Sequence, residues 1–464
     1  MSRVFVDVGV RRIGEYITRV PKLKQIRGAS AMISAATDYD DVLSALREQG
    51  FTDVTPNPDV GEAEGVVHLE ITGNSKPHDV AIAVLTHVRR HLPGADLGGS
   101  WGAGEHYSAA FADIRGMSDR GEGLEWLPAT SEAAWLQPCS ACGSRPAAGS
   151  GGRDGLCVDC GERDRAARHS KRELATRLGK NLRFPGNELS DLIDRSLSDG
   201  PAGNHIALLC ADGNGVGSLF EGLVGNPQVS KEERGTISVA LAEATLEAVK
   251  FACTRITPEG EATRMIPILA AADDLSLFVA ADLAWDFTLA LLQSYGDIAQ
   301  RKIVETVGDE VAATLPPVSM SAGLTFAKVK FPAADMFHIA DALMRHAKQQ
   351  QGGKHAAVSW LDVTANGFPV GGNPARGRPV VTVKHLCEVV EPVRRLAEVE
   401  PSGRKRMQSI LRDTHELGID SQDAEEYLRR QSQRVGAESA VAPFLVAGAP
   451  LSLETALDLV RWWL

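Results

Sequence analysis

The chain has 464 residues, of which 49 are Lys or Arg and 60 are Asp or Glu, so its formal net charge is −11. The length predicts about three domains with a sizeable core, and the negative charge argues against a uniformly basic nucleic-acid coat. A hydrophobic content of 44% with 23% charged residues excludes disordered and collagen-like chains. The sequence has neither a signal-peptide pattern nor an apolar run of about 18 residues, so we expect a cytoplasmic protein without a membrane span.

Residues 1–132 predict a small α/β unit. The segment VFVDV near the start is strand-like, and helical periodicity follows over residues 13–36. A second apolar stretch at 65–71 precedes a predicted helix over 78–92. The alternation of strands and helices is typical of α/β structure. We find no catalytic acid pair in this unit, so we do not expect it to be catalytic.

Residues 133–200 predict a zinc ribbon followed by a basic helical linker. Two CxxC pairs, separated by 14 residues, have the spacing of a closed tetrahedral zinc site, formed by Cys139, Cys142, Cys157 and Cys160. Four protein ligands leave no open position, so the expected Zn²⁺ is structural. Between residues 139 and 183 there are ten Lys or Arg against five Asp or Glu, which fits a solvated helix or contact with RNA. Three further cysteines lie in apolar contexts that predict burial: Cys210, Cys253 and Cys387.

Residues 201–365 predict a ferredoxin-like domain. The apolar runs and helical periodicities follow the order βααββαβαβ, which is that plan with additions. A turn-rich linker covers residues 366–379, and residues 380–464 have helical periodicity almost throughout. We therefore expect a C-terminal helical domain, whose last helix is capped by Ser452.

Three carboxylates are expected to meet at one edge of this second sheet. The first strand ends at Asp212, and Asp273 with Asp274 forms the tip of the central hairpin, which lies beside that strand in a ferredoxin-like sheet. Carboxylate oxygens suit Mg²⁺ or Mn²⁺, and two such ions clamp the attacking and leaving oxygens of a phosphoryl transfer.

A glycine-rich turn and one lysine complete the predicted site. The motif ADGNGVG lets the backbone approach phosphate at a helix N-terminus. Its spacing is not that of a Rossmann fingerprint, and no Walker A lysine follows it. Lys348, near the end of the last long helix of this domain, is placed to neutralise a triphosphate.

These residues resemble the large, palm-containing subunit of type III CRISPR effector complexes, the CRISPR polymerase family. Residues 19–33 (RVPKLKQIRGASAMI), the four-cysteine ribbon, ADGNGVG and SAGLTFAK carry the resemblance, together with AADD at 271–274 where the family has GGDD. The helix ADALMRHAK is also similar to the matching helix of GGDEF diguanylate cyclases. The order of these features spans nearly the whole chain.

The resemblance implies an α+β fold with two ferredoxin-like palm domains separated by a zinc ribbon, plus a C-terminal α-helical bundle. It also implies a cyclase that joins ATP through 3′–5′ bonds into cyclic oligoadenylate, a messenger in antiviral defence. Guide or target RNA and other CRISPR effector subunits are the implied partners.

The resemblance also assigns roles to residues. Asp212 and Asp273 would hold the catalytic metals, and Asp274 would assist or orient them. The first palm would bind a nucleotide without catalysing. The nucleotide-binding residues implied in this way are Gly213, through its carbonyl, Asn214, Gly215, Lys348 and, for a second nucleotide in the first palm, Ser30.

The sequence departs from the family pattern in two ways. No HD nuclease segment precedes the first palm in this sequence, so we do not expect DNA cleavage. Two alanines replace the glycines of GGDD, and a methyl group is strained wherever the turn needs a left-handed backbone. Two alternatives to the enzyme therefore stay open: a scaffold subunit with a weakened site, and a stand-alone nucleotide sensor or cyclic-dinucleotide synthase.

Overall fold

A computed structural model describes residues 3–60, 65–128, 136–148, 155–178, 182–184, 188–193, 201–258, 261–367, 371–417, 421–434, 436–446 and 448–463. No helix within these ranges combines the length and apolarity that crossing a membrane requires.

The first palm is a five-stranded antiparallel sheet with helices on both faces. Its strands lie in the order β2-β3-β1-β4-β5, so the first four have the ferredoxin-like arrangement that the resemblance implies. The elements are β1 (Arg3–Arg11), α1 (Ile13–Thr18), α2 (Leu23–Ala36), α3 (Tyr39–Glu48), β2 (Val54–Pro56), β3 (Val66–Ile71), α4 (Pro77–His91), β4 (Asp96–Gly104), α5 (Tyr107–Asp119) and β5 (Leu124–Trp126).

The helical periodicity over residues 13–36 corresponds to two helices in the structure. Helix α1 ends at Thr18 and α2 begins at Leu23. Pro21 lies between them, and a proline disfavours helical conformation at the residue before it and donates no backbone hydrogen bond. The break lets α1 pack separately, which becomes important at the site below.

The four-cysteine segment leads into a helix that packs on the first palm. Helix α6 (Val158–Leu178) lies so close to α2 that a Cβ on Gly28 would stand 2.0 Å from the carbonyl oxygen of Arg163. Arg163 itself is fully buried, pairs with Asp159 at 2.8 Å and stacks over the ring of Tyr16. Part of the basic run is therefore internal structure rather than a solvated face.

The second palm has the predicted element order. Strands β9, β6, β8 and β7 repeat the ferredoxin-like arrangement, and two more strands extend the sheet beyond β9. The elements are β6 (His205–Asn214), α7 (Val216–Gly225), α8 (Lys231–Ile256), β7 (Met265–Ala271), β8 (Asp274–Ala280), α9 (Ala284–Ala312), β9 (Ser319–Lys328), α10 (Ala333–Gln350), β10 (Ala357–Asp362), α11 (Val363–Asn366) and β11 (Val380–Thr382).

The C-terminal region is helical and shares a core with the second palm. Trp462 stacks on Phe326 of β9 with ring centroids 5.2 Å apart, and Trp463 stacks on Trp285 of α9 at 5.7 Å. Ser452 caps the last helix by accepting from the Thr455 N–H, as predicted. The helices are α12 (Val383–Glu398), α13 (Pro401–Leu417), α14 (Ser421–Arg434), α15 (Glu438–Val441) and α16 (Leu453–Val460).

Candidate active site between the two palms

The sheet of the second palm brings the three predicted aspartates together. Strand β8 begins at Asp274, which pairs with Ala271, so Ala272 and Asp273 form the two-residue hairpin turn. Strand β8 also pairs with β6, where Ala211 lies opposite Leu275. The next residue along β6 is Asp212, and its carboxylate is within hydrogen-bonding reach of that of Asp274. Residues more than 60 positions apart in the sequence therefore meet at one rim.

Burial and repulsion within the cluster raise the pKa values of Asp273 and Asp274. Removal from water, and then repulsion from Asp212, raises the pKa of Asp273 to about 6. Removal from water and repulsion from both neighbours raise the pKa of Asp274 to about 8. A cluster that resists full ionisation in this way gains stability from a bound cation.

Lys348 supplies one positive charge at this rim. Its ammonium forms an ion pair with Asp212 and donates to the carbonyl oxygen of Gly213 at 2.7 Å. These two acceptors are the ones that the family resemblance assigns to a metal shell. Without a metal ion, Lys348 therefore neutralises the first-strand side of the cluster.

Each of the three glycines in the turn is explained by a different feature of the local geometry. A Cβ on Gly213 would lie 2.5 Å from a carboxylate oxygen of Asp273, so a side chain there would displace that aspartate. Gly215 has φ 76° at the start of α7, a left-handed conformation that favours glycine. A Cβ on Gly217 would meet nothing within 4 Å, so the backbone is open to a ligand at that point.

Asn214 is buried in the turn. Its amide nitrogen donates to Ser319 at 3.0 Å, to Ser321 at 2.9 Å and to the carbonyl oxygen of His355 at 3.3 Å. The side chain therefore ties the end of β6 to β9. The amide nitrogen thus holds the turn in place, and a contact between Asn214 and a nucleotide stays a prediction.

The alanine at the hairpin tip is strained. Ala272 has φ 50°, in the left-handed region that glycine adopts at little cost. A two-residue hairpin turn with positive φ at its first central residue favours glycine there. The second glycine of GGDD therefore has a physical reason at this position, and the chain tolerates alanine at an energetic cost.

Sequence reasoning missed Tyr295, which lies beneath the acidic cluster. Helix α9 buries this side chain completely. Burial raises its pKa, and the charges of Asp273 and Asp212 raise it further. Within the described ranges its hydroxyl has no hydrogen-bond partner. Only the general periodicity of α9 could have indicated that this tyrosine faces the core.

The donor set fits hydrated divalent cations. Three carboxylates and a backbone carbonyl offer the oxygen ligands that Mg²⁺ or Mn²⁺ prefers.

Two cavities flank the aspartates, and each is built from both palms. The first, the α7–α8 cavity, has a volume of about 300 Å³ and includes Asp273. Its walls come from α7 and α8 of the second palm and from β3 and α5 of the first, and include His68, Tyr107, Phe111, Val216, Phe220 and Leu241.

The second cavity, the α1–α10 cavity, has the reverse construction. Its volume is about 570 Å³ and it includes Asp274. Helix α1 of the first palm faces α10 of the second across it, and the lining residues include Arg12, Ile13, Ile17, Phe337, Asp341 and Arg345. The α7–α8 cavity thus combines α7, the first helix after β6, with α5, the last helix of the first palm. The α1–α10 cavity combines α1, the first helix after β1, with α10, the last long helix of the second palm.

Ser30 lies elsewhere in the first palm. It is in the middle of α2, not near a helix start as expected, and it is half-buried. It lines neither of the two cavities. A contact between Ser30 and a second nucleotide stays a prediction.

The four predicted zinc ligands converge. Their sulfur atoms form a cluster buried against Val20 of the first palm. The backbone N–H of Cys157 donates to the sulfur of Cys139 at 3.2 Å, and hydrogen bonds from Cys160 lower the pKa of Cys157 to about 6. The set has the donor type and spacing of a structural zinc site.

The other three cysteines are not all buried. Cys210 and Cys253 are buried as predicted, but Cys387 is exposed on α12, so that prediction is wrong. The cause is periodicity: Cys387 follows the buried Leu386 and lies on the outer face of an amphipathic helix.

Comparisons with known proteins agree with this architecture. Residues 205–358 match the family model for the Cas10/Cmr2 second palm domain. Csm1 from T. onnurineus is 13% identical to this chain, with a TM-score of 0.59. The alignment covers 99% of this chain and 69% of Csm1. A Csm1–Csm4 cassette with cA4 has a TM-score of 0.54, and a Csm1–Csm4 subcomplex of the type III-A CRISPR-Csm interference complex has 0.52. These two are also 13% identical, and each alignment covers 99% of this chain and 69% of theirs.

The search of curated proteins gives no match. At such low identity the structural likeness shows the fold. The family model is what relates the acidic rim to a particular class of palm. Residues 205–358 of the second palm therefore match the Cas10/Cmr2 second palm domain, and the chain as a whole has the fold of the palm-containing Csm1 subunits.

Proposed function

We propose that this chain is a nucleotidyl cyclase that joins ATP molecules into a cyclic oligoadenylate. In each step the 3′-hydroxyl oxygen of one nucleotide attacks the α-phosphorus of another, pyrophosphate leaves, and the hydroxyl proton passes to a base or to solvent. The reaction needs two nucleotides side by side with their reacting groups at one rim.

The observation that carries the proposal is the pair of cavities on either side of the aspartates. The α7–α8 cavity includes Asp273 and the α1–α10 cavity includes Asp274, so one nucleotide in each would direct its phosphates or ribose to the same rim. Both volumes are within the range of about 300–1,000 Å³ that is typical of small-molecule sites. A palm that only supported neighbouring subunits would not need two such cavities.

The residues of the rim have complementary tasks. The open backbone at Gly217 and the N-terminus of α7 would accept phosphate oxygens. Lys348 would leave Asp212 for the triphosphate once a divalent cation neutralises the aspartate. Asp212, Asp273 and Asp274 would hold Mg²⁺ or Mn²⁺, which supply charge stabilisation for the phosphoryl transfer when bound.

Similar structures support the choice of nucleotide and partner. Csm1–Csm4 cassettes have been solved with one ATP, with AMPPNP and with cA4. By analogy we propose ATP as the substrate, and other CRISPR effector subunits with guide or target RNA as partners. For RNA the analogy rests on the class of complex alone.

A second candidate function is a scaffold subunit with a weakened site. The strained turn at Ala272 favours it, because the methyl group lines the α7–α8 cavity where the family has none. Such a chain would keep its partners and bind nucleotide without turnover.

One assay separates the two functions. The full chain is incubated with ATP and Mg²⁺ or Mn²⁺, with and without target RNA, and cyclic products are sought by mass spectrometry. Products that disappear in the double variant Asp273→Ala/Asp274→Ala support the cyclase. ATP binding without product in every condition supports the scaffold.

A further inference from the structure

A set of three polar side chains lies on the wall of the α7–α8 cavity that the first palm contributes. His68 on β3 pairs through Nδ1 with a carboxylate oxygen of Asp7 at 2.8 Å. The hydroxyl of Tyr107 donates to the other oxygen of Asp7 at 2.5 Å. The rings of His68 and Tyr107 are edge-to-face at 5.7 Å, so the imidazole is held on two sides.

The partner of Nδ1 fixes the proton arrangement of His68. A carboxylate only accepts hydrogen bonds, and Asp7 accepts from both His68 and Tyr107. Nδ1 therefore has the proton, and Nε2 of the neutral ring is an acceptor. Nε2 has no partner among the residues that the structure describes. The side chain lines the cavity and is 17% exposed.

Three other polar residues of the cavity, Asp59, Ser108 and Glu221, are engaged or exposed. Asp59 is committed to Arg3, to Arg234 and to the backbone N–H of Tyr107. Ser108 bonds to His106 at 2.7 Å. Glu221 is exposed.

The rest of the wall can stack a flat ring. Phe111, Phe220 and Val216 give the cavity apolar surfaces on both palms. Since Asp273 marks the phosphate end, the part of the cavity between α5 and α7 would receive the base.

We infer that Nε2 of His68 selects a base with an exocyclic amine by accepting a hydrogen bond from it. An adenine amine would satisfy this acceptor, whereas the carbonyl oxygen at the same position of guanine would face it with a second acceptor and repel it. His68 is then a specificity-determining residue, and Asp7 with Tyr107 holds it in the selective tautomer. The inference rests on the proposed function, because it assumes that a nucleotide occupies this cavity.

The test compares ATP with purine riboside triphosphate, which lacks the exocyclic amine. Binding of each to the full chain is measured by calorimetry with Mn²⁺, for wild type, His68→Leu and Asp7→Asn. We expect the wild type to bind ATP about three- to tenfold more tightly, the range for one net hydrogen bond. In His68→Leu the two ligands should bind equally. The imidazole and the amine are the two partners of a double-mutant cycle, so removing either one removes the same hydrogen bond.

The variant Asp7→Asn and a control at Phe111 sharpen the test. An asparagine at position 7 can donate to Nδ1, which moves the ring proton to Nε2, so the preference for ATP should fall in Asp7→Asn as well. This variant leaves His68 with a partner and so serves if His68→Leu does not fold. Phe111→Ala is the matched control: stacking does not depend on the amine, so both ligands should weaken by the same factor.

The outcomes are distinct from those of the proposed function. If ATP binds but its preference over the analogue survives in both His68→Leu and Asp7→Asn, His68 does not read the base and the inference is overturned, while the proposed function stands. If neither ligand binds the wild type with Mn²⁺, the proposed function fails and the inference fails with it.

Discussion

The strained turn makes a quantitative prediction about the substitution Ala272→Gly. A left-handed backbone costs a residue with a Cβ about 1–2 kcal/mol, and Ala272 has φ 50°. Glycine removes that cost but loses about 0.5–1 kcal/mol more conformational freedom on folding. The net expectation is a second palm more stable by about 0.5–1 kcal/mol, which raises its unfolding temperature by about 1–4 °C.

The neighbouring alanine provides the matched control. Ala271 ends strand β7 and pairs with Asp274, so glycine there brings no conformational relief. Ala271→Gly should therefore lower stability by about 0.5–1 kcal/mol, opposite in sign to Ala272→Gly. Both variants are measured by thermal unfolding of the zinc-loaded chain, together with ATP affinity, which should rise in Ala272→Gly because that methyl group lines the cavity. If both variants are destabilised equally, the backbone argument is refuted.

Two further predictions concern the lysine and the zinc ribbon. Lys348→Met should weaken ATP binding by at least about tenfold, because the triphosphate loses a charged hydrogen-bond donor and Asp212 loses its counter-ion; calorimetry checks this, and unchanged affinity would contradict the role. The double variant Cys139→Ser/Cys142→Ser should lose a zinc content near one per chain and lower thermal stability, because the cluster packs on Val20 and leads into α6. Metal analysis of protein made under reducing conditions decides it, and wild-type protein without zinc would refute the assignment.

The fold was predictable wherever periodicity was strong. The second palm has long apolar strands and periodic helices, and its element order was correct along the whole domain. The first palm was predicted only as a small α/β unit, because its strand β4, with the sequence DLGGSWGAG, has few apolar residues. Local composition does not indicate that such a glycine-rich segment pairs along all of β1.

The candidate site was predictable in part, for topological reasons. A ferredoxin-like order places β6 beside the hairpin, so the sequence could indicate that Asp212, Asp273 and Asp274 meet. It could not indicate Tyr295 or His68, because each reaches the site only through packing of distant elements. His68 is an ordinary strand residue until the two palms face each other across the α7–α8 cavity.

The acidic cluster itself is a reason to expect metal binding, because without a cation it destabilises the fold. The pKa values of Asp273 and Asp274 are raised to about 6 and about 8, so these two groups hold more protons in the folded chain than in the unfolded chain from about pH 4 to pH 8. By linkage, their contribution to the free energy of unfolding of the metal-free chain falls as pH rises through that window.

Asp273→Asn removes one of these charges and tests the argument. We expect the metal-free variant to be more stable than wild type at pH ~8, with a flatter pH dependence, because one repulsive carboxylate is gone. Mn²⁺ should stabilise wild type, by about 2.7 kcal/mol at a concentration 100 times its Kd, and the variant much less. Thermal unfolding at several pH values, with and without Mn²⁺, measures both effects. The same pH dependence of stability in wild type and variant between about pH 5 and 8, or equal stabilisation of both proteins by Mn²⁺, would show that the aspartates are not a strained metal site. A site that sacrifices stability when empty and regains it with a cation is the pattern expected of retained function.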